Sequence, residues 1–146
     1  MSGASFADAG TTAAGVGIVR SELSEFGLHP AIVDGSGLSR ADRASPRQVV
    51  KLLDKMRDRA EFDALFAALP IAGKDGTLDD RMRHGAARGR CHAKTGTLSN
   101  VSTLSGYCNA RNGDIIEFSL LMNRTGVLGA HNVQDRMANA MAALTG

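Results

Sequence analysis

The sequence predicts an α+β fold, because its two parts carry different periodicities. Residues 1–90 read as mainly helix and loop, with apolar residues recurring at helical spacing. Residues 91–146 hold three extended runs separated by turn residues, followed by one closing amphipathic segment. Helices that precede an antiparallel meander, rather than alternating with its strands, are the mark of this class. A chain of 146 residues with 43% hydrophobic and 22% charged content is one domain or part of one, globular rather than disordered. With no Trp, one Tyr and five Phe, aliphatic and Met side chains must carry most of the packing.

Thr11 or Thr12 can cap a first helix running to about Phe26, with Val16, Val19, Leu23 and Phe26 on one face and Gly27 as its stop. Pro30 forces an extended approach to the short apolar run Ala31-Ile32-Val33. The stretch DGSGLSRADRASP is loop, and its Ser45-Pro46 supplies the N-cap and first position of the next helix. That helix carries Val49, Leu52, Leu53 and Met56 at core spacing. A shorter one follows with Phe62, Leu65, Phe66 and Leu69, ended by Pro70. In the glycine-rich turn beyond it, Thr77 and Asp80 are spaced as a capping box for one more short helix.

The extended runs are Cys91–Leu98, Thr103–Asn109 and Ile115–Asn123, with turns at Ser99-Asn100 and Arg111–Asp114. A tight turn at Ser99-Asn100 places Cys91 directly opposite Cys108, either as a disulfide or as two reduced core cysteines. The closing helix is expected to start near His131 or Asn132, with Val133, Met137, Met141 and Leu144 facing inward.

Several function classes lose ground here. The net charge of +2 is too small to argue for nucleic acid. Arg81, Arg83, Arg88 and Arg90 cluster around His84, but no aromatic residue is interleaved to stack bases. No run is long and apolar enough to span a membrane. The opening residues lack the basic and apolar regions of an export leader. Cys91 and Cys108 fit no zinc spacing, and His29, His84, His92 and His131 are scattered, each read as a surface or capping residue. No metal and no cofactor is expected.

One tripeptide carries chemistry. Lys94-Thr95-Gly96, followed by Thr97, is one part of a catalytic kit whose other parts are a Ser-x-x-Lys and a Ser-x-Asn. Together VDGSGLSR (Val33–Arg40), LPIAGKDGTLDDRM (Leu69–Met82) and AKTGTL (Ala93–Leu98) resemble the C-terminal part of the serine D-alanyl-D-alanine carboxypeptidases, more narrowly the penicillin-binding protein 4 type, the S13 peptidase group. The likeness runs from about Gly27 to the final helix.

The resemblance implies the C-terminal portion of a β-lactamase/transpeptidase-like domain, in which antiparallel strands are flanked by helices. It implies a peptidoglycan stem peptide ending in D-Ala-D-Ala, lying beside the Lys-Thr-Gly strand as an added strand, and an extracytoplasmic location. It also implies residue roles. Lys94 supplies fixed positive charge and orders the hydroxyl network around the serine. Thr95 and Thr97 offer hydroxyl donors to the terminal carboxylate, and Gly96 lets the peptide backbone approach. The backbone N–H of Thr97 or Leu98 is the place for an oxyanion donor. Arg40 either helps bind the acidic side chain of the stem peptide or forms a salt bridge with Asp34.

The departures are equally specific. No serine in the chain has a lysine three residues on, and no Ser-x-Asn occurs. Tyr107-Cys108-Asn109 matches a variant of the latter on paper but belongs to a strand. In the family both elements precede the DGSGLSR loop, so the chain is expected to begin after them. It should be inactive alone, meet β-lactams only with the N-terminal half present, and be marginally stable with an unpaired sheet edge. The alternatives are a non-catalytic binder of D-Ala-D-Ala stem peptides and, more remotely, a small basic nucleic-acid-binding protein.

Overall fold

A computed structural model describes residues 10–146. The reading of the opening residues as no export leader falls largely on residues 1–9, outside those described. The order is α1 (Thr12–Glu25), α2 (Pro46–Met56), α3 (Phe62–Ala68), a 3-10 turn (Gly76–Leu78), β1 (Cys91–Leu98), β2 (Val101–Asn109), β3 (Ile115–Asn123) and α4 (Val127–Ala142). The α+β class predicted from the periodicities is the one observed.

The helix starts follow local chemistry. The Thr11 hydroxyl accepts from the Ala14 N–H, and Gly27 ends α1 as its N–H and that of Leu28 reach back to the Ser24 and Leu23 carbonyls. Ser45 and Gln48 form a reciprocal capping box, with Pro46 at the first helical position. The box expected at Thr77 and Asp80 does not form. Asp75 precedes the 3-10 turn instead, and the Thr77 hydroxyl is engaged elsewhere.

The sheet is antiparallel in the order β1-β2-β3. Its register pairs Cys91 with Cys108 and Leu98 with Val101, as the two-residue turn dictates. Cys91 and Cys108 form a disulfide with their Cα atoms 4.0 Å apart. The strands are also tightly apposed nearby, where a Cβ on Gly106 would strike the His92 carbonyl oxygen and sit 2.7 Å from Ala93 Cα. Only glycine fits that pairing.

The sheet's two faces are covered differently. On one, α4 and the loop from Ala72 to Ala87 bury Leu78, Ala93, Leu104, Phe118, Ala138 and Ala142. On the other lie α2 and α3, neither of which has a fully buried residue. Tyr107 joins that second layer, its hydroxyl donating to the Leu53 carbonyl at 3.0 Å and its ring packing edge-on to Phe62.

Two expectations for α4 need correction. The helix starts at Val127, behind a Gly126 cap that bonds nothing through a side chain. Its inward residues are Ala130, Gln134, Ala138 and Ala142, while Val133, Met137 and Leu144 are exposed. Of the four inward positions expected, only Met141 packs against the core. Small residues let the helix settle close to the strands, and the larger ones are turned aside. Gln134 is tolerated because it bonds Ser102 and receives Arg81. No helix among the described residues is long and apolar enough to cross a membrane.

Candidate functional site

Strand β1 is one edge of the sheet, and only half of that edge is covered. The Ala72 N–H donates to the Cys91 carbonyl and the Ala93 N–H to the Pro70 carbonyl, each at 2.9 Å. An isolated bridge pairs Ile71 with His92. Beyond Ala93 no backbone among the described residues bonds to this edge of the strand.

Alternation in the ladder decides which groups face outward. Asn109 N–H donates to the Arg90 carbonyl at 2.9 Å, so the hydrogen-bonded pairs include Lys94 with Ser105, Gly96 with Thr103, and Leu98 with Val101. The intervening residues, Thr95 and Thr97, point their N–H and C=O groups away from β2. The open edge therefore presents the Thr95 and Thr97 amides, whereas the Leu98 amide is turned into the hairpin. Of the two oxyanion positions entertained from the sequence, only Thr97 has its N–H on the edge.

The side chains divide between the faces. Lys94 is exposed, and its Nζ donates to the Thr95 carbonyl at 2.5 Å, folding the charge over the edge. Thr95 Oγ1 donates to Thr77 Oγ1 at 2.8 Å. A side chain at Gly96 would meet the hydroxyl of its partner Thr103 at 2.5 Å, so the strand itself asks for glycine there. Thr97 is exposed and Leu98 half-buried.

Arg40 joins this region from the DGSGLSR loop. Its guanidinium donates to Asn100 Oδ1 at 2.8 Å and to Ser99 Oγ at 3.0 Å, gripping the turn between β1 and β2. The salt bridge considered with Asp34 does not form. That carboxylate accepts from the Ser36 N–H and hydroxyl within its own turn. Ser99 and Asn100 were legible only as turn residues, and nothing local marked them as Arg40's partners. Between Arg40 and the sheet runs a groove of about 1120 Å³, lined on the sheet side by Leu98, Val101, Thr103 and Leu121. Across it stand Pro30, Ile32 and Asp42, on the loop that the Ala31–Arg43 bridge closes.

Other candidates disperse. Arg81 is buried, with Nη2 2.5 Å from Asp135 Oδ1, and Arg83 donates to the Asp79 carbonyl, so the arginine cluster is not one free cationic face. Tyr107 and Cys108 sit in β2, as expected for a chance match. Burial, aided by the Glu117 carboxylate, pushes the Tyr107 hydroxyl up to about 12. His92 is neither a surface nor a capping residue. It stacks on Phe66 with ring centres 4.1 Å apart, its buried Nδ1 has no hydrogen-bond partner among the described residues, and burial lowers its proton affinity.

Known proteins share this fold. A solved structure of penicillin binding protein 4 from Haemophilus influenzae superposes with a TM-score of 0.73 at 26% identity, over 86% of this chain and 32% of that one. A D-alanyl-D-alanine carboxypeptidase of an Actinomadura species is 39% identical over 148 residues, which is 96% of this chain and 27% of that protein. A carboxypeptidase DacB of Mycolicibacterium smegmatis is 32% identical over 123 residues, 78% of this chain and 27% of its own length. The chain thus spans about a quarter of the length of the curated relatives it matches. The model of the D-Ala-D-Ala carboxypeptidase 3 (S13) family matches residues 1–144, and the chain belongs to that family.

Proposed function

We propose that this chain forms the substrate-binding wall of a serine-type D-Ala-D-Ala carboxypeptidase acting on peptidoglycan stem peptides. The observation that carries the reading is the half-open edge of β1, bare from Thr95 onward and braced at its far end by Arg40. An extended peptide can add to such an edge through main-chain hydrogen bonds. Thr97 N–H is then this chain's contribution to the oxyanion site, the second donor being the nucleophile's own N–H, and Lys94 supplies positive charge beside it. Thr95 and Thr97 bind the terminal carboxylate, and Leu98 and Arg40 flank the penultimate part of the peptide. The Cys91–Cys108 disulfide is in keeping with an extracytoplasmic location.

The 146 residues contain no Ser-x-x-Lys, so in this reading the acyl-enzyme forms on a serine outside them, and the chain alone is inactive. The test is amide NMR of the isotope-labelled protein, titrated with diacetyl-L-lysyl-D-alanyl-D-alanine and with its L-alanyl-L-alanine twin. The Thr95 and Thr97 amides should shift with the first peptide and not with the second. Equal responses, or none at either amide, would sink the reading. A fluorescent penicillin should leave the chain unlabelled.

A further inference from the structure

We propose that Thr77 is a positioning residue for the Thr95 hydroxyl, and that residues 70–78 are the stop that makes this edge accept a chain end rather than a chain passing through. The proposal rests on the reading of β1 as a peptide-binding wall and specifies what that wall selects.

Thr77 is exposed, yet the backbone that carries it is held from several directions. Leu78, the next residue, is completely buried, and its carbonyl accepts from the Gly73 N–H at 2.9 Å. Asp75 Oδ1 accepts from the Ile71 N–H at 2.6 Å, closing the loop on itself. The loop's first residues are stitched to β1 through Pro70 and Ala72. A hydroxyl mounted on this bracket has little freedom to move, and the one it meets is that of Thr95.

A threonine at a strand edge can hold more than one χ1 rotamer. Bonding to a fixed hydroxyl selects one of them and so aims Thr95 before any ligand arrives. Each hydroxyl has one proton to donate and can also accept. With Thr95 donating to Thr77 the pair is at rest. When an anion approaches, both protons can rotate, so that Thr77 donates to Thr95 and Thr95 donates outward. The two bonds then reinforce each other.

Chain direction supplies the second half of the argument. A peptide adding antiparallel to β1 runs its C-terminus toward Ala93. There the edge is already taken, because the Ala93 N–H is spent on Pro70 and Ile71 bridges His92. A chain that continued would collide with residues 70–72. One that ends beside Thr95 leaves its carboxylate next to the hydroxyl pair.

The test compares the wild-type protein with Thr77→Val, which keeps the shape and loses the hydroxyl, and Thr77→Ser, which restores it. Affinity is measured for diacetyl-L-lysyl-D-alanyl-D-alanine and for its C-terminal amide, and the Thr95 χ1 rotamer is read from NMR couplings without ligand. We expect Thr77→Val to cut the preference for acid over amide by about fivefold to tenfold, as for one hydrogen bond between neutral groups acting through Thr95. Thr95 should become rotamer-averaged in that variant, and Thr77→Ser should recover both properties. An unchanged preference, or a Thr95 rotamer still locked in Thr77→Val, overturns the proposal. If the wild-type protein shows no acid preference at all, the peptide-wall reading falls. The stop falls with it, and the rotamer result then decides the positioning role by itself.

Discussion

Leu104 and Leu53 lie on opposite sides of one sheet, and their surroundings differ more than their chemistry. Leu104 is completely buried beneath α4, while Leu53, on α2, stays half in water like every apolar residue of its helix. The α4 side is a finished core, closed by small alanines and a buried Arg81–Asp135–Gln134 network. The α2 side is a looser layer, and it is on this side that Lys94, Gly96 and the Arg40 groove lie. Thr95 and Thr97 alternate onto the α4 side, so the edge of β1 borders both layers, and the finished core lends its rigidity to strands that both layers share. A binding edge needs strands that do not shift, yet it cannot itself be sealed.

The sharpest way to break this comparison is a matched pair of truncations read by urea unfolding. Leu104→Ala should cost about 3 kcal/mol, as expected for a cavity in a closed core, and Leu53→Ala about half of that. Equal losses would mean that the two layers are equally well packed. Next in size is the disulfide. Cys91→Ala with Cys108→Ala should lower stability by roughly 2 kcal/mol, toward the lower end for a bridge closing a short loop that the hairpin already orders. Thermal melts with and without reductant should show the same loss in the parent protein and none in the double variant.

The smallest effect is a dependence on pH. His92 has its proton affinity lowered in the fold from the ordinary 6.5, mainly by burial against α3, and His131 on α4 shifts the same way. The unfolded chain therefore takes up protons first, so stability is full above about pH 6.5 and declines as the pH falls toward the folded-state values. His92→Phe, which preserves the stack on Phe66, should flatten part of that decline between pH 7 and pH 5. An identical slope in the variant would assign the decline to other groups.

Much of the fold was legible because it depends on local chemistry. Thr11, Ser45-Pro46 and Gly27 mark helix ends through their own hydrogen bonds, and the turn at Ser99-Asn100 sets the register of β1 and β2. What could not be read depends on what a helix meets in space. The inward face of α4 is three alanines and Gln134, which carry almost no hydrophobic signal, so Val133 and Met137 looked like the core. Its true start at Val127 hides behind a glycine cap with no side chain to announce it.

The candidate site divides in the same way. Lys94-Thr95-Gly96 and Arg40 stood out by residue type and order. That Arg40 would grip Ser99 and Asn100 rather than Asp34, and that Thr77 would leave a cap for Thr95, are long-range choices. No local pattern encodes them.

The pinch at Gly106 has a mechanical corollary. With the strands pressed together there and joined covalently at Cys91 and Cys108, edge strand β1, which only β2 holds laterally beyond Ala93, is clamped most firmly at its root. Displacement of a strand clamped at one end grows toward the other, and there the turn is gripped by Arg40 and by the Thr125 N–H, which donates to the Asn100 carbonyl at 3.2 Å. Thr95 and Thr97 sit at mid-span, so the steadiness of their outward amides depends on both supports at once. Loosening either end should therefore be felt at the same two residues, although neither end touches them.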